Sequence, residues 1–143
     1  MKAAQAHPWM VLAGLALGVT VTNSFARFAY GLILPAMKSE MAWTYAQAGW
    51  LNTANALGYI VGAVITMLFI GRRSPTLLFA FGLITTTIAL LATGLNAALW
   101  WQTMWRILAG LFGAMSFSTA GVLVAGLFKD SPRHNALAIA ILF

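Results

Sequence analysis

Three polar residues interrupt the first long apolar stretch of the sequence at positions that share one side of a helix. Asn23, Arg27 and Tyr30 are spaced i, i+4 and i+7, which places side chains on one face of an α-helix. A guanidinium recognises a carboxylate or phosphate through two parallel hydrogen bonds. Because this stretch contains no carboxylate, the pattern predicts a cavity that binds an anion.

The second apolar stretch carries two asparagines at helical spacing. Asn52 and Asn55 are three residues apart, and Tyr59 continues their face four residues later. Amide side chains both donate and accept hydrogen bonds, so we predict that the two asparagines face the same cavity as Arg27. The alternative is a hydrogen bond between neighbouring helices, which contributes about 0.6 kcal/mol on average in membranes.

Arg106 is the second arginine inside an apolar stretch. It belongs to a stripe at helical spacing formed by Gln102, Arg106, Gly110, Gly113 and Phe117. A charge at the bilayer centre costs about 2.5–3.5 kcal/mol on insertion scales, so such residues usually face a cavity or a partner. We predict that Arg106 faces the cavity. The alternative is snorkelling to the headgroups, because Arg106 lies five residues after Trp101, roughly 8 Å along a helix.

The residue inventory excludes the common kinds of catalytic and metal sites. The chain has no Cys and two His, of which His7 lies near the N-terminus and His134 in a loop. No HExxH, GxGxxG or Walker-type motif occurs. Ser116 and Ser118 have no neighbouring base. The sequence therefore predicts no enzyme activity, no cofactor and no bound metal.

The overall composition requires a membrane. Hydrophobic residues make up 62% of the 143 residues and charged residues 7%, whereas ordinary soluble domains have about 45–50% and 25%. So little polar surface excludes a soluble enzyme, a nucleic-acid-binding domain and a disordered chain. The net charge of +6 comes from basic residues spread along the chain, mostly in turns, so nucleic acid is not an expected partner.

Long uncharged runs predict an all-α polytopic membrane helix bundle. A spanning helix needs about 20 apolar residues, and four runs qualify, at about 9–34, 46–70, 76–95 and 99–128. The first break is predicted where Pro35 leads into Lys38-Ser39-Glu40. A fifth run starts at about 135 and covers about half a span by residue 143. We therefore expect residues 1–143 to be the N-terminal part of a longer bundle.

Basic residues indicate the orientation. The N-terminal segment contains Lys2. The turns after the second and fourth runs contain Arg72, Arg73, Lys129 and Arg133. Lys and Arg accumulate in cytoplasmic loops, so the N-terminus is predicted to be cytoplasmic. A cleavable signal peptide ending near Ala26 is the competing interpretation, but the apolar run resumes at Phe28.

Small residues four positions apart predict close packing between helices. Such pairs let helix backbones approach one another in membranes. The candidates for packing positions are Gly58, Gly62, Gly110 and Gly113. The third run is apolar apart from the three threonines at 85–87, so we expect it to lie at the periphery of the bundle, facing lipid.

Several motifs resemble the major facilitator superfamily. The turn after the second run ends in Gly71-Arg72-Arg73, which resembles the family's inner loop. The fourth run contains Arg106 and, four residues later, Gly110, similar to the family's fourth-helix R-x-x-x-G pattern. More specifically, the stretches at 25–35 and 44–52 resemble the YbfB/YjiJ-type branch.

The resemblance implies alternating access in a bacterial inner membrane, with two six-helix halves rocking around a central site. In this family the first and fourth helices line the cavity and the third lies outside. The chain departs from the family at Leu68, where the inner loop usually has Asp, and at Ala109, where the fourth helix usually has Gln. No run contains a carboxylate that could carry a proton. A proton-coupled protein would need that group outside this sequence, or another device.

We therefore expect an N-terminal fragment of a transmembrane secondary transporter for a small anionic or polar organic solute. Its expected partners are the lipid bilayer and the remaining helices of the same chain. The alternative is a small non-transport scaffold or assembly subunit, which should complete its fifth helix or stop in a loop. A small multidrug exporter is disfavoured, because such proteins bind cations and usually carry Glu in the first helix, where this chain has Arg27.

Overall fold

The structure, a computed structural model, describes residues 7–143, except for the side chains of residues 25, 26, 28 and 29. Helices account for 85% of the described residues, which contain no strand. The elements in chain order are α1 (Pro8–Val19), a π-helical segment (Thr20–Ala29), α2 (Tyr30–Glu40), α3 (Tyr45–Phe69), α4 (Pro75–Thr93), α5 (Leu99–Leu127) and α6 (Pro132–Leu142). The predicted all-α fold class is confirmed. Lys2, which contributed to the predicted orientation, lies outside the described residues.

The first helix continues past the point where a turn was predicted. α1, the π-helical segment and α2 follow one another without a break, and Pro35 lies inside α2. The predicted start of the break at Pro35 is therefore wrong, because the helix continues to Glu40. Membrane helices tolerate proline because neighbouring groups re-satisfy the carbonyl that loses its amide partner. The chain turns instead at Ala42, whose φ of 53° is in the left-handed region.

The later helices begin where their sequences supply start signals. Thr44 caps α3. Its hydroxyl accepts a hydrogen bond from the backbone N–H of Gln47 at 3.2 Å, and the side-chain oxygen of Gln47 accepts one from the backbone N–H of Thr44 at 2.9 Å. This reciprocal arrangement satisfies two amides at the helix start. α4 and α6 each begin with a proline, Pro75 and Pro132, whose fixed φ suits the first helical position.

Three of the described helices are long and apolar enough to cross a bilayer, namely α3, α4 and α5. The apolar part of the first helix is shorter and covers Pro8–Ser24. The first span at 9–34 stays a prediction.

α5 forms the centre of the bundle, with α3 and α4 packed along its length. α4 buries one face, including Leu78, Thr86 and Ala89, and exposes large apolar residues such as Phe81 and Ile84 on the other. The N-terminal part of the first helix forms a hydrophobic core with α5 and α6. That core consists of Leu12, Leu15, Val19, Ala120, Val124, Phe128, Ala138 and Leu142.

Three glycines bring the backbones of α3 and α5 into direct contact. A β-carbon on Gly58 would collide with the carbonyl of Ile107, and one on Gly62 with the carbonyl of Leu111. A β-carbon on Gly110 would collide with the carbonyl of Asn55. No side chain fits between the two helices here. At Gly113 the spacing is looser, since its β-carbon would lie 3.3 Å from the Thr22 carbonyl oxygen.

Candidate functional site

The candidate site is built on the π-helical segment Thr20–Ala29. Two threonines mark its start: the Thr20 hydroxyl donates to the Ala16 carbonyl at 2.9 Å, and the Thr22 hydroxyl donates to the Gly18 carbonyl at 3.1 Å. Such bonds compete with backbone amides for helix carbonyls and often bend helices. π-helical turns are rare and are frequently found at functional sites.

The π-helical segment separates residues that the α-helical spacing had grouped together. Its i→i+5 hydrogen bonds enclose one more residue per ring than those of an α-helix, so seven residues no longer complete two turns. Asn23 and Arg27 line a cavity. Tyr30, predicted on the same face, is 5% exposed and packs elsewhere, against Arg106. The predicted common face of these three residues is therefore wrong for Tyr30.

The cavity has a volume of about 450 Å³ and lies between the π-helical segment, the middle of α3, the middle of α5 and the end of α6. Among the described residues, its polar lining apart from Tyr59 comes from the π-helical segment. The described lining residues are Val19, Thr20, Asn23, Ser24, Arg27, Tyr59, Phe117, Ile141, Leu142 and Phe143. The volume is within the range of small-molecule sites, about 300–1,000 Å³.

Arg27, Tyr59 and Asn23 form what we call the cavity cluster. The Arg27 guanidinium carbon lies 4.8 Å from the centre of the Tyr59 ring, and the Arg27 side chain is exposed. The side-chain nitrogen of Asn23 is buried and has no hydrogen-bond partner in the described part of the chain. Both acidic residues of the chain, Glu40 and Asp130, are exposed and lie outside the cavity. The cavity cluster thus presents positive charge and an unused donor.

Arg106, Tyr30 and Asn55 form a second set of the same residue types, which we call the buried cluster. Arg106 is 0% exposed, and its guanidinium carbon lies 3.7 Å from the centre of the Tyr30 ring. The Asn55 side-chain amide donates to the Arg106 carbonyl at 2.9 Å. These contacts join α2, α3 and α5. Arg106 is not among the described residues that line the cavity, and its burial leaves no path for snorkelling.

The other candidates from the sequence also lie outside the cavity. Asn52 is exposed on α3. Asn55 makes the interhelical hydrogen bond that the sequence left open as an alternative. The Gln102 side-chain amide donates to the carbonyls of Thr93 and Asn96 at 2.6 and 2.7 Å, which closes the turn between α4 and α5. The turn between α3 and α4 exposes Gly71, Arg72 and Arg73.

Sequence reasoning missed several lining residues. Thr20 and Ser24 are neighbours of Asn23, and the polar run at 20–24 is the signal that could have identified them. Phe117 was identified only as part of the Arg106 stripe. The described residues contain no group of three His, Asp or Glu that could hold a metal ion. Ser116, which has no neighbouring base in the sequence, uses its hydroxyl to donate a hydrogen bond to the Gly113 carbonyl at 3.0 Å within the same helix.

Comparison with known families identifies the fold that carries this cavity. Residues 5–143 match the family described as the uncharacterised MFS-type transporter YbfB. The chain belongs to this family. The resemblance to the YbfB-type branch of the major facilitator superfamily is thereby confirmed, and the YbfB-type chain is a multi-pass membrane protein of a transporter family. Neither the curated proteins nor the solved structures gave a match.

Membership in the YbfB family decides between the functions that the sequence left open. A membrane transporter is supported over a small scaffold subunit, because the match covers nearly the whole chain. The cavity of this YbfB-type chain borders the first helix, α3, α5 and α6. A charged side chain in a membrane cavity commonly marks a substrate or ion pathway. Arg27 is the charged residue among the described lining residues.

Proposed function

We propose that this chain forms part of a secondary transporter that moves a small organic anion across the bacterial inner membrane by alternating access. The observation that carries the proposal is the exposure of Arg27 into a cavity whose described lining contains no other charged side chain. The N-terminus is cytoplasmic in this proposal, and further helices of the same protein close the cavity from the other side.

The geometry of Arg27 supports anion binding. The Tyr59 ring lies against the guanidinium, and a cation–π contact uses the face of the ring without consuming N–H donors. A guanidinium has five N–H groups in a planar fork that matches a carboxylate. Arg27 can therefore rest on Tyr59 and still present donors to an anion.

Asn23 supports the same conclusion from a neighbouring position. Its buried side-chain nitrogen has no partner among the described residues, and a buried donor without a partner costs about 1–3 kcal/mol. A bound anion next to Arg27 would accept this hydrogen bond. A ligand of positive charge would instead face a cation and a donor, with the acidic residues of the chain outside the cavity.

The test is transport by the complete protein reconstituted in liposomes, with a panel of radiolabelled organic anions and cations. Arg27→Gln removes the charge but keeps an amide, and Arg27→Lys keeps the charge without the planar fork. We expect uptake of the anion to fall by about 10- to 100-fold in Arg27→Gln, which corresponds to about 1.5–3 kcal/mol for a hydrogen bond to a charged group. Arg27→Lys should retain more activity than Arg27→Gln.

The matched control is Arg133→Gln, which removes an arginine from the exposed start of α6. It should leave uptake unchanged. Preferred uptake of cations, or an anion uptake that is insensitive to Arg27→Gln, would overturn the proposal.

A further inference from the structure

The lining of the cavity is divided between polar and apolar sources. Thr20, Asn23, Ser24 and Arg27 all belong to the π-helical segment. The apolar contribution comes mainly from α5 and α6 and from the residue that follows α6. A ligand that matches both surfaces has one anionic end and one apolar end.

Three aromatic rings line the cavity next to Arg27, and each ring lies beside the next. The row begins at Tyr59, whose ring centre lies 4.8 Å from the Arg27 guanidinium carbon. The Tyr59 and Phe117 ring centres are 6.3 Å apart, and those of Phe117 and Phe143 are 4.6 Å apart. The interplanar angles are 58° and 48°, so neither pair is stacked face to face. We call these three residues the aromatic row.

The charge of the cavity limits the charge of its ligand. Arg27 is the sole charged residue in the described lining, and it can neutralise one carboxylate. A second carboxylate at the apolar end of the cavity would lie against Phe117, Ile141 or Phe143. Burial of an unpaired charge among apolar side chains is costly, so dicarboxylates and tricarboxylates are poor ligands for this cavity.

We infer that the cavity selects an aromatic monocarboxylate, with the carboxylate at Arg27 and the aromatic ring against the aromatic row. This inference rests on the proposed function and names the class of its substrate. Aromatic rings prefer tilted or offset contact with other rings, with centres about 4.5–7 Å apart. The edges and faces of Phe117 and Phe143 offer such contact, which an aliphatic acid such as acetate cannot use.

The test measures binding of radiolabelled phenylacetate to the complete protein in detergent, with acetate and succinate as competitors. We expect phenylacetate to bind at least about tenfold more tightly than acetate, and succinate to compete weakly. Phe117→Leu retains an apolar side chain but removes the ring. It should weaken phenylacetate binding by about three- to tenfold and leave acetate binding nearly unchanged.

The matched control is Phe112→Leu. Phe112 is on the same helix but is not among the described lining residues. The centre of its ring lies 5.4 Å from the ring centre of Phe81 in α4. This variant should bind phenylacetate like the parent protein. A thermal unfolding midpoint measured for both variants separates loss of binding from loss of fold.

The possible outcomes distinguish the inference from the proposed function. If anions bind in an Arg27-dependent way but acetate or succinate matches phenylacetate, the inference is overturned and the proposed function stands. If Phe117→Leu and Phe112→Leu weaken phenylacetate binding equally, the aromatic row is likewise refuted. If no anion in the panel binds, both proposals fail.

Discussion

The buried cluster and the cavity cluster contain the same three residue types in opposite surroundings. Each has an arginine over a tyrosine ring, at 3.7 Å for Arg106 over Tyr30 and 4.8 Å for Arg27 over Tyr59. Arg106 is 0% exposed and lies among α2, α3 and α5, whereas Arg27 is exposed in the cavity. The side-chain nitrogen of Asn55 has a backbone partner, whereas the side-chain nitrogen of Asn23 has none among the described residues.

This difference shows that the chemistry of a membrane arginine depends on the packing around it more than on its neighbours in sequence. The three glycines of the α3–α5 contact leave no room for a ligand beside Arg106. The π-helical segment has a wider turn, and its polar residues border open space. The buried cluster therefore holds helices together, and we propose that the cavity cluster binds the substrate.

The largest expected effect comes from forcing the helices of the buried cluster apart. In Gly110→Val the new side chain would collide with the Asn55 carbonyl, which should separate α3 from α5 and abolish most of the folded protein. Overpacking typically costs about 1–3 kcal/mol, and more when backbone must move. The measurement is the monodisperse yield in detergent. Gly126→Val is the control, since nothing lies within 4 Å of a β-carbon there; equal yields would disprove the contact.

The next effect comes from removing the aromatic partner of each arginine. Tyr30→Leu leaves Arg106 buried without its ring, and we expect a loss of about 2 kcal/mol of stability, the value for a desolvated cation–π contact. Tyr59→Leu removes the ring from exposed Arg27 and should cost about 0.5–1 kcal/mol. Thermal unfolding in detergent measures both. If Tyr59→Leu proved the more destabilising variant, the larger contribution of the buried cluster to stability would be disproved.

A smaller effect should separate the two asparagines by function. Asn23→Ala removes one hydrogen bond to the proposed anion, worth about 1.5 kcal/mol at the lower end for a bond to a charged group, and should raise the half-saturation concentration for uptake by about tenfold. Its unfolding midpoint without ligand should not fall below that of the parent protein, because the change removes a buried donor that has no partner among the described residues. Asn52→Ala serves as the control, because Asn52 is exposed outside the cavity. Identical transport by the two variants would remove Asn23 from the site.

The smallest effect should come from Asn55→Ala. This change removes the single hydrogen bond from Asn55 to the Arg106 carbonyl, and interhelical hydrogen bonds in membranes average about 0.6 kcal/mol, with a maximum near 1.7. We expect a slightly lower unfolding midpoint and an unchanged half-saturation concentration. A large change in that concentration without loss of stability would move Asn55 into the binding site.

Much of the fold follows from the sequence, because apolar runs and turn residues determine where membrane helices begin and end. α3 begins at Tyr45 and α5 at Leu99, each within one residue of the predicted runs. The predicted end of the first helix is wrong because proline usually ends a helix in water, whereas a membrane helix can continue through proline. The π-helical segment was missed because an α-helical period was assumed throughout.

The site could be predicted only in part. Arg27 and Asn23 could be predicted because a polar side chain in a membrane costs free energy and usually faces a cavity or a partner. Sequence spacing could not distinguish Arg27 from Arg106, because burial depends on which neighbouring helix faces each residue. The aromatic row joins residues from α3 and α5 with Phe143, and such long-range contacts have no local sequence signal.

The backbone contact between α3 and α5 also has a consequence for genetics. Every amino acid other than glycine carries a β-carbon, so any missense change at Gly58, Gly62 or Gly110 meets a backbone carbonyl. Random mutagenesis followed by selection for function should therefore return these three codons still encoding glycine. The open positions Gly14 and Gly49, with nothing within 4 Å of a β-carbon, should accumulate substitutions in the same library.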